Sequence, residues 1–247
     1  MDERSFNHEI RHAWSTLDGK LGIGRALVWD RSLRVDDIFR AVALDEESSY
    51  ENIFKAGLNR SSYNILLTDY AYFQFGWQND TSWRLAYFPN PFVTGVSKAT
   101  ALQKDWEAAE ELGVLSHERV SDLLADMPYA GAVPPLRFDF APSQYRELIH
   151  PAAHFHIGRF SKNRWPSAVA IGPEAFSLIV AKLYYPDSWT MCSKLEGSAV
   201  DECIEEAFLA VVNNVRLVHD FSDRERRSFH FGKNFVVAPA AVRDFET

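Results

Sequence analysis

The run of residues 136–158, LRFDFAPSQYRELIHPAAHFHIG, constrains the fold more than any other part of the chain. Leu136, Phe138 and Phe140 alternate with Arg137 and Asp139, and this two-residue period is typical of a strand with one buried face. Prolines stand on both sides of the alternation, so the predicted strand is short and bounded.

The second half of the run repeats the alternation around His154 and His156. Successive side chains of a strand point to opposite faces, so both histidines share one face. If the two strands are neighbours, their polar faces coincide, and the histidines converge with Arg137 and Asp139. His150 stands just before a proline and is predicted to lie at the entrance of the second strand.

Three interpretations of this cluster stay open. In the first, His154, His156 and Asp139 bind a divalent metal ion, since His-x-His on a strand presents two imidazoles to one ion. In the second there is no metal, a histidine acts as general acid or base, and Arg137 holds an anionic group such as a phosphate. In the third, the histidines are hydrated on an exposed face, and the arginine and the aspartate pair with each other.

Four further residues are candidates for binding a substrate near the cluster: His150, Arg159, Arg164 and Tyr72. The basic loop after the histidine strand carries both arginines, and Arg164 with Trp165 would suit a phosphate and a base. The bland alternative is a loop arginine folded back onto the sheet. For Tyr72, plain packing on a strand is the corresponding alternative.

Composition restricts the class of protein. The net charge of −8 argues against indiscriminate binding of duplex nucleic acid, which needs a basic surface. Aromatic residues make up 14% of the chain, which favours a thick aromatic core or a contact surface for a partner. Cys192 and Cys203 are too few and too far apart for a zinc motif and indicate free thiols in a reducing compartment. With no signal peptide or membrane span visible, we expect a cytoplasmic protein that does not enter a membrane.

The pattern of elements predicts an α+β fold. Its mainly antiparallel sheet contains a hairpin over 63–88, with a first strand over 63–77, and strands near 135–141 and 152–158; helices flank the sheet. We expect one domain over 1–247, in which residues 1–60 form a helical N-terminal cap. Helices are predicted over 2–18, from Ser32, over 50–58, 98–112, 116–127, 173–183 and 198–220, and a last strand over 229–237.

The runs LTDYAYFQF, YFPNPF, RFDFAP, HPAAHFHIG and RWPSAVAIGPEAF with LYYP resemble a bacterial family of uncharacterised proteins, domain of unknown function 2290. The resemblance covers roughly residues 64–189. The family's RFD, HP–H–HIG and Arg-x-Pro elements correspond to 137–139, 150–158 and 164–166. Such proteins look like members of toxin–antitoxin or antiphage modules, which implies a defence role and a protein partner encoded nearby. The resemblance supplies no mechanism.

The leading functional prediction is an enzyme of such a system that acts on phosphodiesters in RNA or on a nucleotide. His154 and His156 would be the acid/base pair or metal ligands, and Asp139 would orient a histidine or complete a metal site. Arg137 and Arg164 would hold the phosphate. The alternative is a non-catalytic binding module, either an antitoxin or a subunit of a defence complex, which the acidic charge and the many aromatic residues favour. The pattern leaves the oligomeric state open.

Overall fold

The centre of the fold is a seven-stranded antiparallel sheet whose spatial order follows the order of the strands in the chain. The structure, a computed structural model, describes residues 1–93, 133–159, 162–193, 203–218 and 221–228. The strands of the sheet are β1 (Gly24–Leu27), β2 (Ile65–Leu67), β3 (Tyr72–Asn79), β4 (Ser82–Phe88), β5 (Leu136–Phe140), β6 (Ala153–Ile157) and β7 (Trp165–Pro166). A separate pair is formed by β8 (Val169–Ala170) and β9 (Arg216–Leu217).

Helices lie on both faces of the sheet, so the predicted α+β class is confirmed. In the described residues they are α1 (Glu3–Ser15), α2 (Asp37–Leu44), α3 (Tyr50–Asn59), α4 (Pro173–Tyr184), α5 (Pro186–Ser193), α6 (Ile204–Asn213) and α7 (Asp223–Ser228). A π-helical turn over Thr16–Lys20 extends α1. No helix in these ranges is long and apolar enough to cross a bilayer.

One face of the sheet, which we call the core face, carries the main hydrophobic core. Phe73, Phe75, Leu85 and Phe138 lie on it with no solvent exposure. Helices α1 and α4 pack against each other and cover it, and the ring of Phe176 meets that of Phe73 edge-on at 6.2 Å. Burial of such large apolar side chains is the main stabilising contribution to a sheet of this kind.

The opposite face, which we call the histidine face, is covered by aromatic packing over only part of its area. Tyr72 stacks on Phe88 at 4.9 Å and on Phe54 of α3 at 5.3 Å. Phe39 of α2 meets Phe88 edge-on at 5.9 Å. Helices α2 and α3 thus cover the face above β3 and the end of β4, and the remainder carries the polar residues of β4, β5 and β6.

The predicted hairpin is confirmed at its turn and wrong in the length of its first strand. Thr81 donates its backbone N–H to the side chain of Asn79 and closes the turn between β3 and β4. The predicted long strand over 63–77 is instead two strands, because Asp69 and Tyr70 form a tight turn between β2 and β3. Asp69 accepts a hydrogen bond from the Ala71 N–H, and Tyr70 adopts a positive φ of 66°. Aromatic strand propensity concealed this turn.

Several predicted helix boundaries are also wrong. Helix α2 begins after Asp36, whose side chain accepts from two backbone N–H groups, and not after Ser32, which bonds instead to Trp77 at the edge of β3. The helix predicted over 198–220 ends at Asn213, where the chain turns into strand β9. The predicted helices over 98–112 and 116–127 and the strand over 229–237 lie outside the described residues.

The first sixty residues contribute a strand as well as helices. Strand β1 pairs with β2 at the edge of the sheet, α1 lies on the core face, and α3 lies on the histidine face. The division of the chain into domains stays a prediction.

Glu9 fastens α1 to the start of α4. Its Oε2 accepts a hydrogen bond from the Glu174 N–H at 3.3 Å. A Cβ at Gly172 would lie 2.0 Å from the same oxygen, so the glycine leaves the space that the Glu9 carboxyl occupies. Burial raises the pKa of Glu9 to about 7, and the negative charge of the Glu174 carboxylate contributes to this rise. The hydrogen bond from the Glu174 N–H lowers the pKa but does not outweigh burial. The carboxyl of Glu9 is therefore held partly protonated near neutral pH.

This raised pKa predicts a pH-dependent difference in stability between the wild type and Glu9→Gln. The contribution of a protonated Glu9 is complete below its ordinary pKa of 4.5 and is lost as the pH rises through about 7. Between pH 4.5 and a pH above 7, the difference in free energy of unfolding between Glu9→Gln and the wild type should change by about 3 kcal/mol. The change makes the variant relatively more stable at the higher pH. Urea unfolding across this range measures the shift.

The control for this experiment is Glu3→Gln, since Glu3 is exposed on the same helix. Its unfolding free energy should not show a change with pH comparable to that of Glu9→Gln. Parallel pH curves for Glu9→Gln and the wild type would contradict the assignment.

Candidate functional site

The register of three neighbouring strands places the candidate residues in two rows on the histidine face. Asp139 of β5 lies between Arg84 of β4 and His154 of β6. In the adjacent row Arg137 lies beside His156. The predicted pairing of the two polar strand faces is confirmed.

Both histidines of β6 are buried, so the interpretation of hydrated histidines on an exposed face is wrong. His154 is 1% exposed and His156 is 2% exposed. A buried imidazole needs a partner for each polar nitrogen, and the partners here define the site.

The two imidazoles face each other through their Nε2 atoms, which are 3.0 Å apart. The Nδ1 of His154 lies 2.8 Å from the carbonyl oxygen of Pro151, and because a carbonyl oxygen only accepts, Nδ1 carries the proton. Burial lowers the pKa of His154 to about 4, and the neighbouring His156 also lowers it. The negative charge of Asp139 raises this pKa but does not outweigh burial. His154 is therefore neutral near pH 7, and its Nε2 presents a lone pair to His156.

Asp139 links the histidines to the arginines. Its Oδ1 accepts a hydrogen bond from Arg84 Nε at 3.1 Å, and Arg137 Nε lies at the same distance from that oxygen. Its Oδ2 lies 3.5 Å from His156 Nε2. Burial would raise the pKa of Asp139, but the hydrogen bond with His156 and the positive charges of Arg84 and Arg137 outweigh it. They hold this pKa well below its ordinary range.

The arginines around Asp139 exceed what one carboxylate can neutralise. Arg84, Arg137 and Arg164 carry three positive charges, and the charge of Arg164 acts on Arg137. Burial lowers the pKa of Arg137, and the positive charges of Arg84 and Arg164 lower it further. The negative charge of Asp139 raises this pKa but does not outweigh them. Arg137 Nε has only the ion-pair contact with Asp139 Oδ1, and the buried Nε of Arg164 has no hydrogen-bond partner among the described residues. The same holds for Nδ1 of His156, so the site has unused hydrogen-bonding capacity.

His150 lies beside this pair, with its ring 5.0 Å from that of His154. Burial and the charge of Arg164 lower the pKa of His150. It is the most exposed of the three histidines and lies on the connection between β5 and β6. A substrate approaching from solvent would meet it before the buried pair.

The connection that carries His150 is fixed by Glu225 of α7. The Glu225 carboxylate is fully buried and accepts hydrogen bonds from the Tyr145 hydroxyl and from the Leu148 and Ser222 N–H groups. Leu148 itself has a positive φ of 62°. Neither Glu225 nor Arg84 was among the sequence candidates. The alternation of Arg84 with apolar neighbours indicates its face of β4 but not its partner on β5, and Glu225, remote in sequence, had no signal at all.

Two predicted substrate-binding residues lie away from the two rows. Arg159 is exposed and donates a hydrogen bond to the carbonyl oxygen of Glu46, in the loop between α2 and α3. Tyr72 is buried in the aromatic cluster, and its hydroxyl donates to the carbonyl oxygen of Phe54 at 3.3 Å. Their predicted roles stay predictions.

A family model described as "Uncharacterized conserved protein (DUF2290)" matches residues 28–233, which is most of the chain. The chain belongs to this family. The match includes every residue of the two rows, so the site lies within the part that defines a DUF2290 protein. A search of curated proteins and a search of solved structures found no match.

The charge balance of this DUF2290 site predicts that Asp139→Asn is strongly destabilising. The substitution keeps the shape of the side chain but leaves Arg137, which lies within reach of the positive charge of Arg164, without its countercharge. Removing one partner of a fully buried ion pair costs about 3 kcal/mol or more, and this pair, with side chains 32% and 16% exposed, should lose a large part of that. Urea unfolding of the variant at neutral pH measures the loss.

Arg84→Gln is the matched control, since the Arg84 side chain is 62% exposed and its ion pair with Asp139 is largely screened. We expect this change to cost less than about 1 kcal/mol. Equal losses in the two variants would show that Asp139 does not compensate buried charge.

Proposed function

We propose that this protein is a hydrolase that cleaves phosphodiester bonds in RNA or in a nucleotide at the Arg–Asp–His rows. The observation that carries the proposal is the excess of positive charge at this point of a chain whose net charge is −8. Arg84 and Arg137 contact one carboxylate, the charge of Arg164 acts on Arg137, and the buried Nε–H of Arg164 has no partner among the described residues. An anionic ligand would supply both the missing charge and the missing acceptor.

Phosphate is the anion that suits this arrangement best. A guanidinium group offers planar, paired N–H donors that match two phosphate oxygens, and it stays charged when partly buried. Arg137 and Arg164 would hold the non-bridging oxygens. Arg84 is 62% exposed and would reach the outer part of a longer substrate. These charges would also stabilise the negative charge on the phosphoryl oxygens in the transition state.

The buried pair of histidines would activate the attacking oxygen. A water or a neighbouring hydroxyl forms the new P–O bond as the old ester P–O bond breaks. The proton of the attacking oxygen leaves to a base, and the departing oxygen gains a proton. Asp139, 3.5 Å from His156, keeps that imidazole in place. His150 is partly exposed and touches His154, so it lies where a substrate would enter.

We propose a bacterial, cytoplasmic defence or toxin–antitoxin system as the setting, with a protein partner encoded nearby. The resemblance of the RFD and HP–H–HIG elements to that family supports this setting. A binding module is the second candidate, and one observation favours it. Trp165 is 62% exposed and Ile149 is 69% exposed, so apolar surface lies on both segments that flank the histidine strand.

The proposal predicts cleavage of single-stranded RNA or of the simple diester bis-(4-nitrophenyl) phosphate. Replacing His154 and His156 with alanine should reduce kcat/KM by about 100-fold or more, since the group that activates the attacking oxygen is lost. The control is His8→Ala/His12→Ala, which removes another adjacent pair of imidazoles, 4.3 Å apart on α1. Unchanged cleavage after loss of the β6 pair would sink the proposal.

Expression in a bacterial host separates the two candidates. A hydrolase of this kind should slow growth, and the alanine variant of His154 and His156 should not. A harmless wild-type chain that cleaves neither substrate and co-purifies with the product of a neighbouring gene would identify the binding module instead.

A further inference from the structure

The geometry points to a binding site for one divalent transition-metal ion, zinc above all, held by Nε2 of His154, Nε2 of His156 and Oδ2 of Asp139. These three atoms lie within 4.8 Å of one another. They come from two adjacent strands in fixed register, so the backbone of the sheet and not a flexible loop sets their spacing.

The distances between the atoms fit a single ion. Ligands about 2.0–2.1 Å from zinc stand about 3.3 Å apart in a tetrahedral arrangement. The two Nε2 atoms are 3.0 Å apart, and Oδ2 of Asp139 lies 3.5 Å from Nε2 of His156. The third separation, between Nε2 of His154 and Oδ2 of Asp139, is within 4.8 Å, so these two side chains would draw together around an ion.

The hydrogen bonds around His154 and Asp139 leave an acceptor atom of each residue directed toward the site, whereas His156 would release its Nε2 proton when the ion binds. Nδ1 of His154 donates to the Pro151 carbonyl oxygen, which leaves Nε2 unprotonated. A metal-binding histidine commonly donates its other N–H to a backbone carbonyl in this way. Both arginines approach Oδ1 of Asp139, and Oδ2 is left toward the histidines.

Two imidazoles and one carboxylate would leave part of the coordination sphere open. In structural zinc sites all four positions are filled by the protein, whereas catalytic sites keep a position for water or substrate. The ion would thus serve the reaction proposed above. It would make a bound water lose its proton more easily near neutral pH, so that the water oxygen could bond to phosphorus as the ester P–O bond breaks and the departing oxygen takes up a proton.

The adjacent arginines predict that the metal ion and an anion bind cooperatively. A dication placed beside Arg84, Arg137 and Arg164 adds positive charge to a site that already has an excess. A phosphate would offset both, so each ligand should increase the affinity of the other by the same factor. This linkage rests on the proposed function, while binding of the metal alone does not.

The test is cobalt(II) binding to the full-length protein, followed by visible absorbance and equilibrium dialysis, with zinc as competitor. We expect one cobalt ion per chain, with a spectrum of low coordination number that zinc abolishes. His154→Ala and His156→Ala should each weaken binding by more than about 100-fold, beyond the loss typical of a residue that only supports a ligand. Adding inorganic phosphate should tighten cobalt binding to the wild type.

His8→Ala/His12→Ala is again the matched control, because these neighbouring imidazoles could themselves bind an ion. Binding that persists in this variant and disappears in the β6 variants supports the site. Binding lost only in the α1 variant, or no binding to the wild type, overturns it. The wild-type measurement keeps the test decisive even if a β6 variant does not fold.

Failure of this inference and failure of the proposed function are distinguishable. Cobalt binding without cleavage of either diester would support the metal site and contradict the proposed hydrolase. Cleavage that persists in metal-free protein after chelation would support the hydrolase and contradict a role of the metal ion in the reaction. Binding of metal with no effect of phosphate would remove only the link between the two.

Discussion

The pairing of β5 with β6 is the constraint on which the rest of the structure depends. In the observed register Asp139 lies opposite His154, and Phe138 lies opposite Phe155 on the core face. A slip of one residue would exchange the faces of a strand and put a charged side chain into the hydrophobic core. The apolar face therefore selects the register, and the register in turn assembles the polar site. The same alternation that folds the sheet also brings the carboxylate to the imidazoles.

Covering both faces of the sheet explains why the site lies where it does. Helices α1 and α4 bury the core face, while α3 and its aromatic partners bury part of the histidine face. Strands β5 and β6 extend beyond that aromatic cover. Their outward side chains enclose one another: two arginines close over Asp139, and both histidines lie below solvent contact. The fold thus produces a partly buried polar site, where electrostatic interactions are stronger than at an exposed surface.

The local patterns could be predicted from the sequence, and the long-range partners could not. Alternation along β5 and β6 was sufficient to predict their pairing and the convergence of Asp139 with the histidines. Arg84 joins from β4, and its role depends on which strand lies beside β5, for which sequence periodicity has no signal. The full burial of the histidines is likewise a tertiary effect. Tight turns were missed for another reason: Tyr70 at a positive φ is an uncommon choice, so propensity predicts strand there.

The energetic character of the site argues that stability alone does not account for it. Part of the histidine face is covered by apolar packing, since Tyr72 stacks on Phe88 and on Phe54. Apolar side chains could therefore have covered the rest of this face as well. Buried ion pairs seldom stabilise more than apolar residues of the same volume, and buried donors without acceptors cost free energy. Yet the adjacent area holds the ion pair of Arg137 with Asp139 and, beside it, Arg164, whose buried Nε has no partner among the described residues. Burying a donor without an acceptor destabilises the protein, and apolar packing would avoid this loss of free energy. A ligand that completes the site therefore explains these residues better than packing does.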